Sequence, residues 1–128
     1  MVVVDSSVWI EFFRGKNDRV ISRLRRLLDA DDVALAAPVR LELLAGVSSR
    51  EQPRLRRLLS ALPLLVPTQT VWPKLEAWLP KARAAGERFG AMDLLIAGIA
   101  DENDAAVWSE DSDFVRMARL GFVTLAPE

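Results

Sequence analysis

The chain opens Val2-Val3-Val4-Asp5-Ser6-Ser7, three β-branched residues followed at once by an acid and two hydroxyls. A short run of this kind suits a strand buried on both faces. Ser6 or Ser7 is placed to cap a helix reaching Phe13. Strand followed directly by helix is half of a βα unit, and the alternation recurs downstream. Val33 to Ala36, Leu64 to Val66, Ala105 to Trp108 and Phe122 to Leu125 are predicted strands. Between them, Val20, Ile21, Leu24, Leu27 and Leu28 recur at helical spacing, with Arg19, Arg23, Arg25 and Arg26 on the other faces. Pro38 starts a helix that Gly46 ends. Ser48 and Glu51 have the spacing of a capping box, and Pro53 sits in the first turn that follows. A helix from about Thr70 to Ala85 contains Pro80, which is expected to kink or split it. Ala91 to Asp101 is nearly all apolar, hence a buried helix, and Phe114 to Leu120 is the last one. Strands alternating with helices predict an α/β fold, a three-layer α/β/α sandwich around a central parallel sheet. No linker or internal repeat interrupts the 128 residues, so one domain over 1–128 is expected.

Composition removes several chemistries. There is neither histidine nor cysteine. Ser-His-Asp and Cys-His catalysis are therefore excluded, as is acid–base chemistry by paired histidines. Zinc is disfavoured for the same reason. A hydrolase with this composition must work through carboxylates, alone or with a hard metal ion. No apolar run approaches the roughly 20 residues that span a bilayer. An acid at position 5 with no base before it does not fit a secretory signal, so a cytoplasmic protein is expected. The net charge of −1 hides an asymmetry. Arg14 to Arg57 holds eleven Lys/Arg and six Asp/Glu, whereas Asp101 to Asp113 holds six acids and no base. One region can meet a polyanion while another concentrates carboxylates.

In open parallel sheets, ligands bind beyond the carboxyl ends of the strands. Asp5 follows the first strand, and Asp111 and Asp113 follow the Ala105–Trp108 strand, so separate strands deliver acids to one edge. Asp93 stands in an apolar helix, where a lone acid is expensive unless paired or metal-bound. Glu42 lies on a small-sided helix face beside Val39, Ala45 and Gly46. Each acid also has a plainer role open to it. Asp5 can cap a helix, Asp93 can complement a helix dipole, Glu42 can be solvated, and Asp113 can cap the helix at Phe114. The set carries more weight than any member.

Four segments resemble the motifs of PIN domains, specifically VapC-type toxins. They are Val2 to Ser7 with Trp9-Ile10, Arg40 to Gly46, Phe89 to Ala97, and Trp108 to Phe114, in family order across nearly the whole chain. The resemblance implies that Asp5, Glu42, Asp93 and Asp111 form an acidic quartet holding Mg²⁺, with Mn²⁺ as a substitute, and that Asp113 is an accessory ligand. It implies hydroxyls at Ser6 and Ser109 bonded around the site. It also implies an endoribonuclease, a VapB-like antitoxin as partner, and a homodimer. Pro80 departs from the unbroken helix expected in many relatives. A carboxylate cluster and an RNA phosphate repel, so a cation must stand between them. A bound divalent ion also makes water acidic enough to attack phosphorus. Arg residues between Arg14 and Arg57 are expected to hold flanking phosphates.

Rival α/β chemistries fit less well. A signalling receiver domain needs an acidic pair after the first strand and a lysine after the last, but serines follow Asp5 and Leu125-Ala126-Pro127-Glu128 has no lysine. A haloacid-dehalogenase-like phosphatase needs aspartate where Ser7 stands. A catalytically silent PIN fold that only binds RNA or protein is the remaining alternative.

Overall fold

The computed structural model describes residues 1–128. Four strands form its sheet: β1 (Val2–Val4), β2 (Val33–Ala36), β3 (Leu64–Leu65) and β4 (Ala106–Trp108). Seven helices flank them: α1 (Ser6–Arg14), α2 (Asp18–Asp29), α3 (Ala37–Ala45), α4 (Gln52–Leu59), α5 (Val71–Ala84), α6 (Ala91–Glu102) and α7 (Asp113–Arg119). The strand order is β3-β2-β1-β4, and every pairing is parallel. Every residue of β1 and β2 is buried, as a sheet covered on both faces requires. This is the α/β sandwich expected from the sequence.

Local signals explain most boundaries. Asn17, unremarked in the sequence pattern, caps α2 by accepting the Val20 N–H at 3.2 Å. Gly15 ends α1 with a left-handed φ of 71°, which an L side chain adopts only with strain. Half of the expected capping box forms, as Ser48 Oγ accepts the Glu51 N–H. Two expectations change. Pro80 does not split α5, because Leu75, Trp78 and Ala82 are buried on both sides of it and hold the helix in place. The stretch Phe122 to Leu125 is not a full strand. It meets β4 through one isolated bridge, Val107 to Leu125, while Phe122 turns inward to stack on Trp78 at 4.4 Å between centroids. The Phe122 N–H is spent on the Met117 carbonyl at the end of α7, at 3.0 Å, and not on β4.

The core gathers 33 buried apolar residues from every helix and from β1, β2 and β4. Gly98 sets the separation of α5 and α6. A Cβ there would stand 2.8 Å from Leu75 Cδ2 and from Val71 Cγ2. Only glycine lets α6 lie this close to α5.

Candidate active site

The chain leaves β1 for β2 and β3 on one side, then returns to place β4 on the other. The reversal lies between β1 and β4, where open α/β sheets form a crevice at their carboxyl ends. The parallel register pairs Val4 with Trp108, which puts Asp5 beside Ser109 one residue on. The Asp5 N–H closes this edge by donating to the Trp108 carbonyl at 2.9 Å.

Asp5 is buried, with only 5% of its surface exposed. Burial of a carboxylate demands hydrogen bonds. Its Oδ2 accepts from Ser7 Oγ at 2.9 Å and from Ser109 Oγ at 2.8 Å. Each hydroxyl has one hydrogen, spent on Asp5, so its lone pairs are free to accept. Ser7 takes the Glu110 N–H at 3.0 Å and Ser109 takes the Asp111 N–H at 2.9 Å. Two relays thus run from the backbone after β4, through serines on different elements, to one carboxylate oxygen. Asp5 does not cap α1 with its side chain.

Oxygens of Asp93, Asp111 and Asp113 come within 4.8 Å of one another. Asp93 sits in the first turn of α6, and Asp113 in the first turn of α7. Asp111 Oδ1 accepts the Asp113 N–H at 3.0 Å, which shapes the turn into α7. The helix-starting bond is therefore made by Asp111, and Asp113 does not take the capping role that the sequence left open to it. Asp113 instead meets Arg116, one turn along α7.

Asp93 is half-buried and receives no hydrogen bond or ion pair from the protein. Burial pushes its pKa up to about 6, helped by the charges of Asp5, Asp111, Asp113 and Glu42 in that order. Glu42, at the exposed rim, is raised above its ordinary value by partial desolvation of its carboxyl and then by Asp5, with the Ser6 hydroxyl opposing. Asp5 and Glu42 stand outside the group of three, yet their fields reach it. All five predicted acids thus share one end of the sheet, arranged as a tight triad flanked by a buried aspartate and an exposed glutamate. Glu42 also borders an apolar hollow of about 360 Å³ lined by Ile10, Phe13, Leu43, Val47 and Leu55.

The donor set suits a hard cation, since it offers carboxylate oxygens and no nitrogen or sulfur. Around Mg²⁺ at about 2.1 Å, ligand oxygens lie about 3 to 4.2 Å apart. The triad, with its oxygens within 4.8 Å of one another, would have to draw closer around such an ion.

Several side chains take places that the sequence pattern did not assign. Ser7 joins Ser109 on Asp5, while Ser6 faces Glu42. Arg23, predicted on a polar face, is buried and donates to the carbonyls of Ala126 and Pro127 while lying 4.1 Å over the Trp108 ring. Arg19 pairs with Glu110. Neither is free for a phosphate. Arg116 and Glu87 were not singled out, although Arg116 lies one turn after Asp113, a spacing that joins side chains on a helix.

The profile of the PIN domain family matches residues 2–120. The chain belongs to the PIN domain family. Ribonuclease VapC11 of Mycobacterium tuberculosis is 32% identical over 125 residues, covering 94% of this chain and 93% of that protein. Among solved structures, VapBC2 from Rickettsia felis bound to a promoter DNA fragment superposes with a TM-score of 0.77 at 20% identity, covering 98% of each chain. VapBC-1 from nontypeable Haemophilus influenzae also gives 0.77, at 17% identity, covering 98% of this chain and 97% of that one. At these identities the superpositions speak for the fold of this PIN domain, and the sequence match to VapC11 for its family.

Proposed function

We propose that residues 1–128 form a single PIN nuclease domain that cuts RNA internally, depends on Mg²⁺ or Mn²⁺, and serves as the toxin of a toxin–antitoxin pair in the cytoplasm. The observation that supports this most is the convergence of Asp93, Asp111 and Asp113 oxygens within 4.8 Å, with no hydrogen bond to Asp93. Carboxylates this close repel unless a proton or a cation stands between them. Asp5, Asp93, Asp111 and Asp113 would hold the metal, and Glu42 at the rim would support it or orient the attacking water. The ion, when bound, offsets the charge of the scissile phosphate and acidifies water.

The protein's own groups prepare this chemistry. Ser7 and Ser109 fix one Asp5 oxygen and leave the other without a hydrogen bond. Burial first, and then the charges of its neighbours, raise the Asp93 pKa to about 6, a cost to its charged form that a bound cation would offset. Arg14 lines the same hollow as Glu42 and, with its guanidinium exposed though paired with Glu11 at 2.9 Å, is the arginine we assign to a flanking phosphate. The proposed partners are RNA, a VapB-like antitoxin and a second copy of the chain. The VapBC complexes among similar structures support the antitoxin. Its chemistry is an amphipathic segment whose apolar side fills the hollow by Phe13 and Leu55, with a basic side chain reaching the acids.

Expression alone is expected to arrest bacterial growth, and the RNA ends that appear should carry 5′-phosphates. Purified protein should cut RNA with Mn²⁺ and stop with chelator. Undiminished cleavage in excess chelator refutes the metal mechanism. RNA bound but uncut at saturating Mn²⁺ makes the domain a binding module.

A further inference from the structure

Among the five acids at the carboxyl end of the sheet, Asp113 alone makes an ion pair, and its partner is Arg116. The guanidinium spreads three donors over two elements. One terminal nitrogen reaches Asp113 Oδ1, and the other reaches Ser112 Oγ at 3.2 Å. Nε donates to Glu87 Oε2 at 2.9 Å. The same group lies 6.0 Å from the Phe89 ring. Glu87 and Phe89 belong to the segment joining α5 to α6, and that segment runs through Gly90 directly into the helix turn bearing Asp93. Arg116 therefore clasps both elements that deliver the triad: the start of α7 with Asp113, and the entry to α6 with Asp93.

We propose that Arg116 is a positioning residue, which with Glu87 as its anchor holds Asp113 and the α6 entry in register for metal capture. The inference rests on the metal-centre reading above and assigns it a cross-brace outside the acid set. Arg116 binds one oxygen of Asp113, while Oδ2 takes no hydrogen bond and stays available. Carboxylates that ligate metals are themselves oriented by hydrogen bonds, and losing such a support typically weakens metal affinity by about 10–100-fold. Glu87 balances the arginine's charge, so the brace adds order to the site without adding a net positive charge that would repel a cation. A lysine is a point charge on a flexible stem and does not span three partners as a planar fork does.

The test is Mn²⁺ binding without RNA, by calorimetry and by the paramagnetic resonance of free ion, on wild type, Arg116→Ala, Arg116→Lys, Glu87→Gln and Asp93→Asn, each with a melting curve. Arg116→Ala is expected to weaken Mn²⁺ by about 10–100-fold. Arg116→Lys should not restore it, and Glu87→Gln should weaken it several-fold from a position outside the ligand set. RNA cleavage at saturating Mn²⁺ should recover toward the wild-type kcat. Affinity unchanged or tightened in folded Arg116→Ala overturns the inference, with tightening marking Arg116 as a competitor of the metal. If Arg116→Ala does not fold, Glu87→Gln decides by the same criterion. No Mn²⁺ binding by wild type, or full binding by Asp93→Asn, overturns the metal-centre reading itself. Wild-type binding that Asp93→Asn abolishes, but that neither Arg116→Ala nor Glu87→Gln weakens, overturns this inference alone.

Discussion

Both ends of the sheet carry carboxylates, and they treat them in opposite ways. At the amino end, α6 finishes with Asp101 and Glu102, and each is answered. Lys74 meets Asp101 at 2.6 Å. Glu102 collects the Thr68 N–H at 3.2 Å, the Thr70 hydroxyl at 2.8 Å and the Thr68 hydroxyl, and these donors lower its pKa. The N-terminal ammonium pairs with Asp32 at 3.1 Å. At the carboxyl end the same helix begins with Asp93, whose neighbours are other acids and whose pKa rises to about 6. One helix thus carries a satisfied carboxylate at its tail and a frustrated one at its head. Carboxylates with strongly raised pKa values cluster at functional sites. The contrast locates function in this PIN domain more sharply than the number of acids at either end.

The largest expected effect breaks the contrast at its head. Asp93→Asn should lower RNA cleavage by more than about 100-fold, exceeding the loss of a residue that only supports a ligand. Glu102→Gln should leave cleavage unchanged and lower the melting temperature slightly. Initial rates on a synthetic RNA check both, and equal losses in the two variants would erase the distinction between the ends.

Ser7→Ala comes next. It removes one of two hydroxyl donors to buried Asp5 and the acceptor for the Glu110 N–H. Unmaking bonds to a buried polar group costs about 1–3 kcal/mol, visible in urea unfolding. Cleavage should fall by a smaller factor than in Asp93→Asn.

Gly98→Ala probes α6 between its two ends. The added methyl meets Leu75 and Val71 at 2.8 Å. Overpacking of this kind costs about 1–3 kcal/mol. The folded variant should retain metal binding, since the acids are untouched, and denaturant melts alongside Mn²⁺ titration separate the two effects.

The smallest effect is the pH dependence of stability with chelator present. An unfolded aspartate loses its proton near about pH 3.9, whereas folded Asp93 keeps it to about 6. Between those values the native state binds more protons, so stability declines as pH rises and levels off above about 6. Glu102 acts in the opposite sense, because its folded pKa is lowered. Its contribution is present above the unfolded value of about 4.3 and is lost as pH falls through the lowered folded one. Melting temperatures from pH 3 to 8 should show the decline, and Asp93→Asn should flatten it.

What depends on neighbours in the chain is legible in the residues alone. Val2 to Val4 and Val33 to Ala36 are uniformly apolar, so only a sheet covered on both sides accepts them. The βα alternation then sends Asp5, Asp111 and Asp113 to one edge, and the first turn of α6 brings Asp93 there. The family motifs follow the same local spacing. Tertiary structure decided what depends on residues far apart. Ser7 serves Asp5 from two residues away, whereas Ser109 reaches the same oxygen from 104 residues away only because β4 pairs with β1. Arg23 is buried because the tail at Ala126 and Pro127 folds back over α2, which no helical periodicity foretells. Phe122 leaves the ladder for a place against Trp78. Arg116 finds Glu87 across 29 residues. Hydrogen-bond geometry and ring packing act over a few ångströms in space and are indifferent to distance along the chain, so these choices wait until the sheet has closed.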